Sequence, residues 1–180
     1  MVHFAYGSNM SVPMMRRICP AARCEGRAVL PGYRVFIMRE GYASIRRATA
    51  TGACVHGVLW RLTARDLAAL NAYENLAGGL YRAAMMTVFA EKRLAALVYV
   101  ARRLGRGRPR PGYMEIVIAG AREAGLPACY IRDLARLANR PDLCQQARRT
   151  APRPLRPPQP GGGGGGQARP GVSVHGEGNA

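Results

Sequence analysis

Residues 81–101 read YRAAMMTVFAEKRLAALVYVA. Two runs of apolar and β-branched residues flank the polar trio Glu91-Lys92-Arg93. The stretch predicts a β-hairpin, 81–90 against 94–101, turning across Glu91–Arg93. Immediately upstream, ACVHGVLWRL (53–62) predicts another strand, apolar at Val55, Val58, Leu59 and Trp60. TARDLAALNAYE (63–74) then predicts a helix capped by Thr63, with Leu67, Leu70 and Tyr73 at helical spacing. Further back, RAVLPGYRVFIM (27–38) predicts two short strands bent at Pro31–Gly32, and VHFAY (2–6) an opening strand. SVPMMRRI (11–18) predicts a short helix with Ser11 as N-cap and Pro13 in its first turn. Downstream, PGYMEIVIAGAREAGL (111–126) predicts a helix from Pro111 to near Gly125, and PACYIRDLARLA (127–138) a last short one. Strands cluster in the middle, and helices do not alternate strictly with them. That pattern is α+β with a mixed, curled sheet, not a doubly wound layer. No G-x-G-x-x-G follows a strand.

The composition breaks near Asn139. Beyond it come PRPLRPPQP and GGGGGG, which have little to bury and cost much chain entropy to order. The expected organisation is one domain over 1–140 and a disordered Pro/Gly/Arg-rich tail over 141–180.

The chain carries a net charge of +17, from 27 Lys+Arg against 10 Asp+Glu. Such a charge suggests nucleic acid. Against that, the single lysine is Lys92, and the richness in Ala, Gly, Pro and Arg is what GC-rich codons write. Aromatic residues are only 7% and do not interleave with basic segments as base-stacking platforms do. No specific nucleic-acid partner is therefore expected. The five cysteines include no C-x-x-C, and His3, His56 and His175 are scattered, so neither a disulfide framework nor a metal centre is expected. Without an 18-residue apolar run or a signal-like start, the expectation is a cytoplasmic protein with no membrane partner.

Three places could carry chemistry. Tyr6-Gly7-Ser8-Asn9-Met10 lies between a strand and a helix. Gly7 permits a positive φ, which would turn loop amides inward as a nest for an anion, and Ser8 and Asn9 add polar side chains. Without a ligand, the same segment is simply a polar turn. Glu74 ends its helix beside Tyr73. Solvated, it is an ordinary helix-end glutamate; partly buried, it has the raised pKa of a general acid or base. Tyr81 opens a strand, as half-buried packing or as a hydroxyl lining a pocket.

Taken together, these segments are similar to the gamma-glutamylcyclotransferase family. FAYGSNM (4–10) resembles the family's FxYGSNL motif. GVLWRLT (57–63) leading to a helix that ends Tyr73-Glu74, and GGLYRAAMMTV (78–88) with its Tyr81-Arg82 pair, resemble two more of its segments. PGYMEIVIAGAREAGLP (111–127) is similar to the C-terminal helix of the bacterial branch. The resemblance spans roughly 3–138. It implies a small mixed β-barrel with helices packed outside. It also implies that Tyr6, Gly7, Ser8, Asn9 and Met10 bind the glutamyl part of a small gamma-glutamyl substrate, that Glu74 is the acid–base residue, and that Tyr81 lines the pocket. The implied reaction releases 5-oxoproline and a free amine with no metal or cofactor. Three departures stand out: Met10 for Leu, Asn75 for the Gly after the glutamate, and Asn71 for a frequent Asp. Asn is the non-glycine residue that best accepts the left-handed conformation, so the turn after Glu74 can survive. The alternative is a basic binding module on the same fold without catalysis.

Overall fold

β1 (Val2–Ala5) opens the chain in a computed structural model that describes residues 1–139. A 3-10 turn, Ser8–Met10, leads into α1 (Val12–Ile18). Ser11 stands at the N-cap of α1 and Pro13 in its first turn, as expected, although the Ser11 side chain makes no capping bond. β2 (Arg23–Pro31), β3 (Tyr33–Ile37), β4 (Ala43–Arg47) and β5 (Cys54–Arg61) follow. Next come α2 (Ala64–Tyr73), the hairpin β6 (Tyr81–Phe89) and β7 (Arg93–Ala101), α3 (Tyr113–Glu123) and α4 (Ala128–Ala138). The tail expected from residue 141 lies outside the described residues.

Five strands close a barrel in the order β1-β5-β2-β6-β7. All its pairs are antiparallel except β1 with β7, where His3 meets Leu97 and closes the ring. The architecture is the α+β mixed barrel with outer helices that the resemblance implies. β3 and β4 form a separate two-stranded sheet, because the chain turns away from the barrel at Gly32, whose φ is 76°. The β6–β7 hairpin keeps an unbroken register from Tyr81↔Ala101 to Phe89↔Arg93. The strand β4 carries no pattern that the sequence reading used. Its ASIRR places Ala43, Ser44 and Ile45 in the interior.

Two features position the loop that follows β1. Trp60 on β5 donates its indole N–H to the Asn9 carbonyl at 3.0 Å. α3 packs against the 3-10 turn through Gly120, where a Cβ would lie 2.7 Å from the Ser11 nitrogen. Pro111 precedes α3 rather than starting it: Gly112, at φ 77°, takes the N-cap, and the helix begins at Tyr113. α2 starts on a complete capping box. Thr63 accepts from the Asp66 amide at 3.1 Å and its own amide donates to the Asp66 carboxylate at 3.1 Å. Among the described residues, no helix is long and apolar enough to cross a membrane.

Candidate active site

α2 ends at Glu74, whose amide still donates to the Leu70 carbonyl at 2.9 Å. The next residue, Asn75, takes φ 51°, the left-handed conformation that stops a helix. Its side-chain oxygen accepts from the Gly78 amide at 3.0 Å, and its carbonyl from the Leu80 amide at 3.1 Å. Asparagine thus builds the turn that the departure from glycine put at issue, and the turn delivers both Glu74 and Leu80 to one cavity.

That cavity holds about 170 Å³. Six of the chain's eight tyrosines line it: Tyr6, Tyr42, Tyr73, Tyr81, Tyr99 and Tyr113. Gly7, Ser8 and Asn9 form its loop edge, and Glu74 is the one carboxylate in the lining among the described residues. Asn9 donates its amide to Glu74 Oε1 at 2.6 Å. The Glu74 side chain keeps some exposure because its carboxyl looks into the cavity. Even so, burial among the rings raises its pKa from 4.5 to about 7, and the Asn9 bond offsets only part of that rise. A carboxyl poised there exchanges protons readily at neutral pH.

The tyrosines are locked by hydrogen bonds from their hydroxyls. Tyr81 donates to the Ala43 carbonyl at 2.7 Å, Tyr99 to Asn71 Oδ1 at 2.7 Å, and Tyr6 to the Tyr99 carbonyl. The Tyr113 hydroxyl accepts from the Ala43 amide at 3.0 Å. Burial lifts all four above the ordinary phenol range, with Tyr113 at about 12, so they stay protonated. Uncharged rings make the cavity wall apolar, which is what lifts Glu74.

The structure brings Tyr6, Gly7, Ser8, Asn9, Glu74 and Tyr81 to this cavity. Met10 is not in the lining. It is 1% exposed and packs in the core, so its side chain anchors the loop from behind. Gly7 is also placed for a different reason than expected. Its φ is −114°, not positive. A Cβ there would stand 2.9 Å from the Tyr113 hydroxyl, so the position needs the absence of a side chain rather than an unusual backbone. The expected nest is smaller too, because the Met10 and Ser11 amides bond to the Gly7 and Ser8 carbonyls at 3.0 Å.

Sequence reasoning missed Tyr42, Tyr99, Tyr113 and His3. The signal for Tyr99 was present: a tyrosine inside the apolar run LVYVA must find a partner for its hydroxyl. His3 is buried, with Nδ1 3.0 Å from the Leu97 carbonyl. The carbonyl can only accept, so Nδ1 carries the proton and Nε2 is left as an acceptor without a partner among the described residues. Burial lowers the ring's pKa to about 4, so it is neutral.

The family model described as AIG2-like matches residues 54–134. A gamma-glutamylcyclotransferase from Bos taurus is 26% identical over 145 residues, covering 74% of this chain and 76% of that protein. One from Homo sapiens is 26% identical over 141 residues, covering 72% and 74%. Among solved structures, a gamma-glutamyl cyclotransferase superposes with a TM-score of 0.71 at 25% identity, covering 79% of this chain and 89% of that one.

Proposed function

Since the chain belongs to the gamma-glutamylcyclotransferase family, we propose that it converts a gamma-glutamyl amide into 5-oxoproline and a free amine, with Glu74 moving the protons. The observation that carries this reading is Glu74 itself, a carboxyl raised to about 7 in a tyrosine-walled cavity.

The substrate brings its own nucleophile. Its α-ammonium gives a proton to the Glu74 carboxylate, and the freed amine attacks the γ-carbonyl. A new C–N bond closes the five-membered lactam. The C–N bond to the leaving amine then breaks, and that amine takes up the proton held by Glu74. The lactam nitrogen keeps one hydrogen, the second proton lost from it goes to the leaving group, and charge balances. Holding amine and carbonyl in attack geometry removes on the order of 7–11 kcal/mol of barrier in favourable cases.

The cavity, at about 170 Å³, suits the glutamyl part and leaves the amine toward solvent. That is smaller than the roughly 300–1,000 Å³ of sites that enclose a whole drug-sized ligand. Among the described residues no arginine or lysine lines it, so the substrate's α-carboxylate would be held by the 7–9 loop and by hydroxyls. The neutral His3 Nε2 adds an acceptor for a substrate N–H.

The test is 5-oxoproline release from a panel of gamma-glutamyl compounds by the purified full chain and by Glu74→Gln. Gln keeps the shape but accepts no proton, so turnover falls by about 10²-fold or more. A folded Gln variant that is as active as the parent would overturn the assignment.

A further inference from the structure

We propose that His3, together with Asn9, is the receptor for the substrate's α-ammonium, and that this pair makes the cavity select ligands with an unsubstituted α-amine. The proposal deepens the reading of the Glu74 cavity as a gamma-glutamyl site and rests on it.

Two buried acceptors in the cavity lining have no partner among the described residues, His3 Nε2 and Asn9 Oδ1. His3 is 2% exposed and Asn9 7%. Buried polar atoms without a partner cost stability, so such a pair in one cavity asks what completes it. Both are acceptors for a definite reason. The ionised Glu74 carboxylate has no hydrogen to give, so Asn9 turns its NH2 group to it, at 2.6 Å, and its oxygen away. The Leu97 carbonyl likewise takes the proton-bearing Nδ1 of His3 at 3.0 Å. Leu97 belongs to β7, the strand beside β1, so Nδ1 faces the barrel wall and the opposite edge of the ring carries Nε2.

Nearby donors are engaged elsewhere. The hydroxyls of Tyr6 and Tyr81 donate to the Tyr99 and Ala43 carbonyls. Tyr99 packs against His3 with ring centroids 5.2 Å apart, yet its hydroxyl donates to Asn71 Oδ1. The cavity therefore calls for a ligand rich in donors. With Glu74 the lining offers three acceptors, and a primary ammonium brings three N–H groups. Tyrosine walls add the attraction of aromatic faces for a cation. An anion or an ether would leave both orphan acceptors unpaired.

The three acceptors differ in the respect that matters for chemistry. Glu74 takes up a proton near neutral pH, whereas burial holds the His3 ring to a pKa of about 4 and an amide oxygen takes none. The ammonium therefore gives its proton to Glu74, while His3 and Asn9 hold the nitrogen in place. His3 is a binding residue and not a second base.

The test is binding of two ligands to the full chain, by calorimetry and by the rise in melting temperature that ligands of the native state produce. One is L-glutamine, the simplest gamma-glutamyl amide. The other is glutaramic acid, which has hydrogen in place of the α-ammonium. The parent should prefer L-glutamine by about tenfold or more, as expected of hydrogen bonds from a charged donor. His3→Asn keeps an NH2 group for the Leu97 carbonyl and nothing at the place of Nε2. His3→Gln can set its side-chain oxygen at that place. The preference should fall by about tenfold in His3→Asn and largely return in His3→Gln. His3→Phe, which keeps a ring and packs without polar atoms, should lose it as His3→Asn does, so the result does not hang on the folding of one variant. Glutaramic acid should bind all of them alike. No preference in the parent, a parental preference in the Asn and Phe variants, or a Gln variant as poor as those two would each overturn the assignment. These titrations need no turnover. A parent that releases no 5-oxoproline but shows the His3-dependent preference loses the reaction and keeps the receptor, and an active parent without the preference loses the receptor alone.

Discussion

Burial of Glu74 among tyrosine rings has a thermodynamic consequence as well as a chemical one. Its folded pKa, about 7, lies above its ordinary 4.5. Below 4.5 the carboxyl is neutral in both states and costs nothing. As pH rises through 7 the unfolded chain is already ionised and the folded one is forced to ionise, so stability falls by at most roughly 3 kcal/mol. Exposure of the carboxyl to the cavity's water reduces that figure. Glu74→Gln removes the penalty. It should melt higher than the parent at pH 8, by on the order of 5 °C, and at the same temperature as the parent at pH 4.5. A gap that is the same at both pH values would mean that Glu74 is not held against its ionisation. Ser8 belongs to the same scale. Backbone groups of the loop survive Ser8→Ala, so KM for the best substrate should rise more than kcat falls, the mark of lost uniform binding. The loop and the helix-end glutamate were legible because each is a short contiguous pattern. Tyr42, Tyr99 and Tyr113 were not, because their roles rest on partners far along the chain. The Tyr113 hydroxyl meets the Ala43 amide 70 residues away. Gly7 was picked out for the wrong reason, since backbone freedom and the need for space both ask for glycine and the sequence does not separate them.

The elements that could be read were those with local chemistry. The β6–β7 hairpin has its polar turn, and α2 has Thr63 at its start and an apolar Leu70 at its centre, 0% exposed. β4 has neither, and its existence depends on pairing with β3. Pairing of β1 with β7, which closes the barrel, is a non-local event that no window of sequence displays. The capping box also ties α2 to the loop after α1, since Asp66 accepts from the Ala21 amide at 3.3 Å. Thr63→Ala should therefore cost about 1 kcal/mol, seen as a lower denaturation midpoint with an unchanged slope. α3 supports the site differently. At Gly120 a Cβ would lie 2.7 Å from the Ser11 nitrogen and 3.0 Å from the Met10 carbonyl carbon, both backbone atoms that cannot swing aside. Gly120→Ala should push α3 off the 3-10 turn, costing about 1–3 kcal/mol. It should also reduce kcat/KM although the residue lines no part of the cavity. A stable variant with parental kinetics would show that the loop holds its shape without α3.

At the scale of the whole molecule the tyrosines and the arginines are sorted apart. Most tyrosines turn inward around Glu74, and their hydroxyls are spent on the protein's own groups. They are therefore not available as outward platforms on which bases stack. The described arginines lie mainly on the outside, in a chain of net charge +17. Without stacking partners, that charge can hold a nucleic acid only through phosphates, and such binding is driven by release of counterions. Any complex with duplex or single-stranded DNA should therefore be insensitive to sequence. It should weaken by roughly 10³-fold or more between 50 and 200 mM salt if six or more phosphates are engaged. Titrations of unrelated DNA sequences across that salt range check both expectations. A nanomolar, sequence-selective complex that survives 200 mM salt would mean that the basic surface is organised for nucleic acid, and would bring the binding-module reading ahead of catalysis.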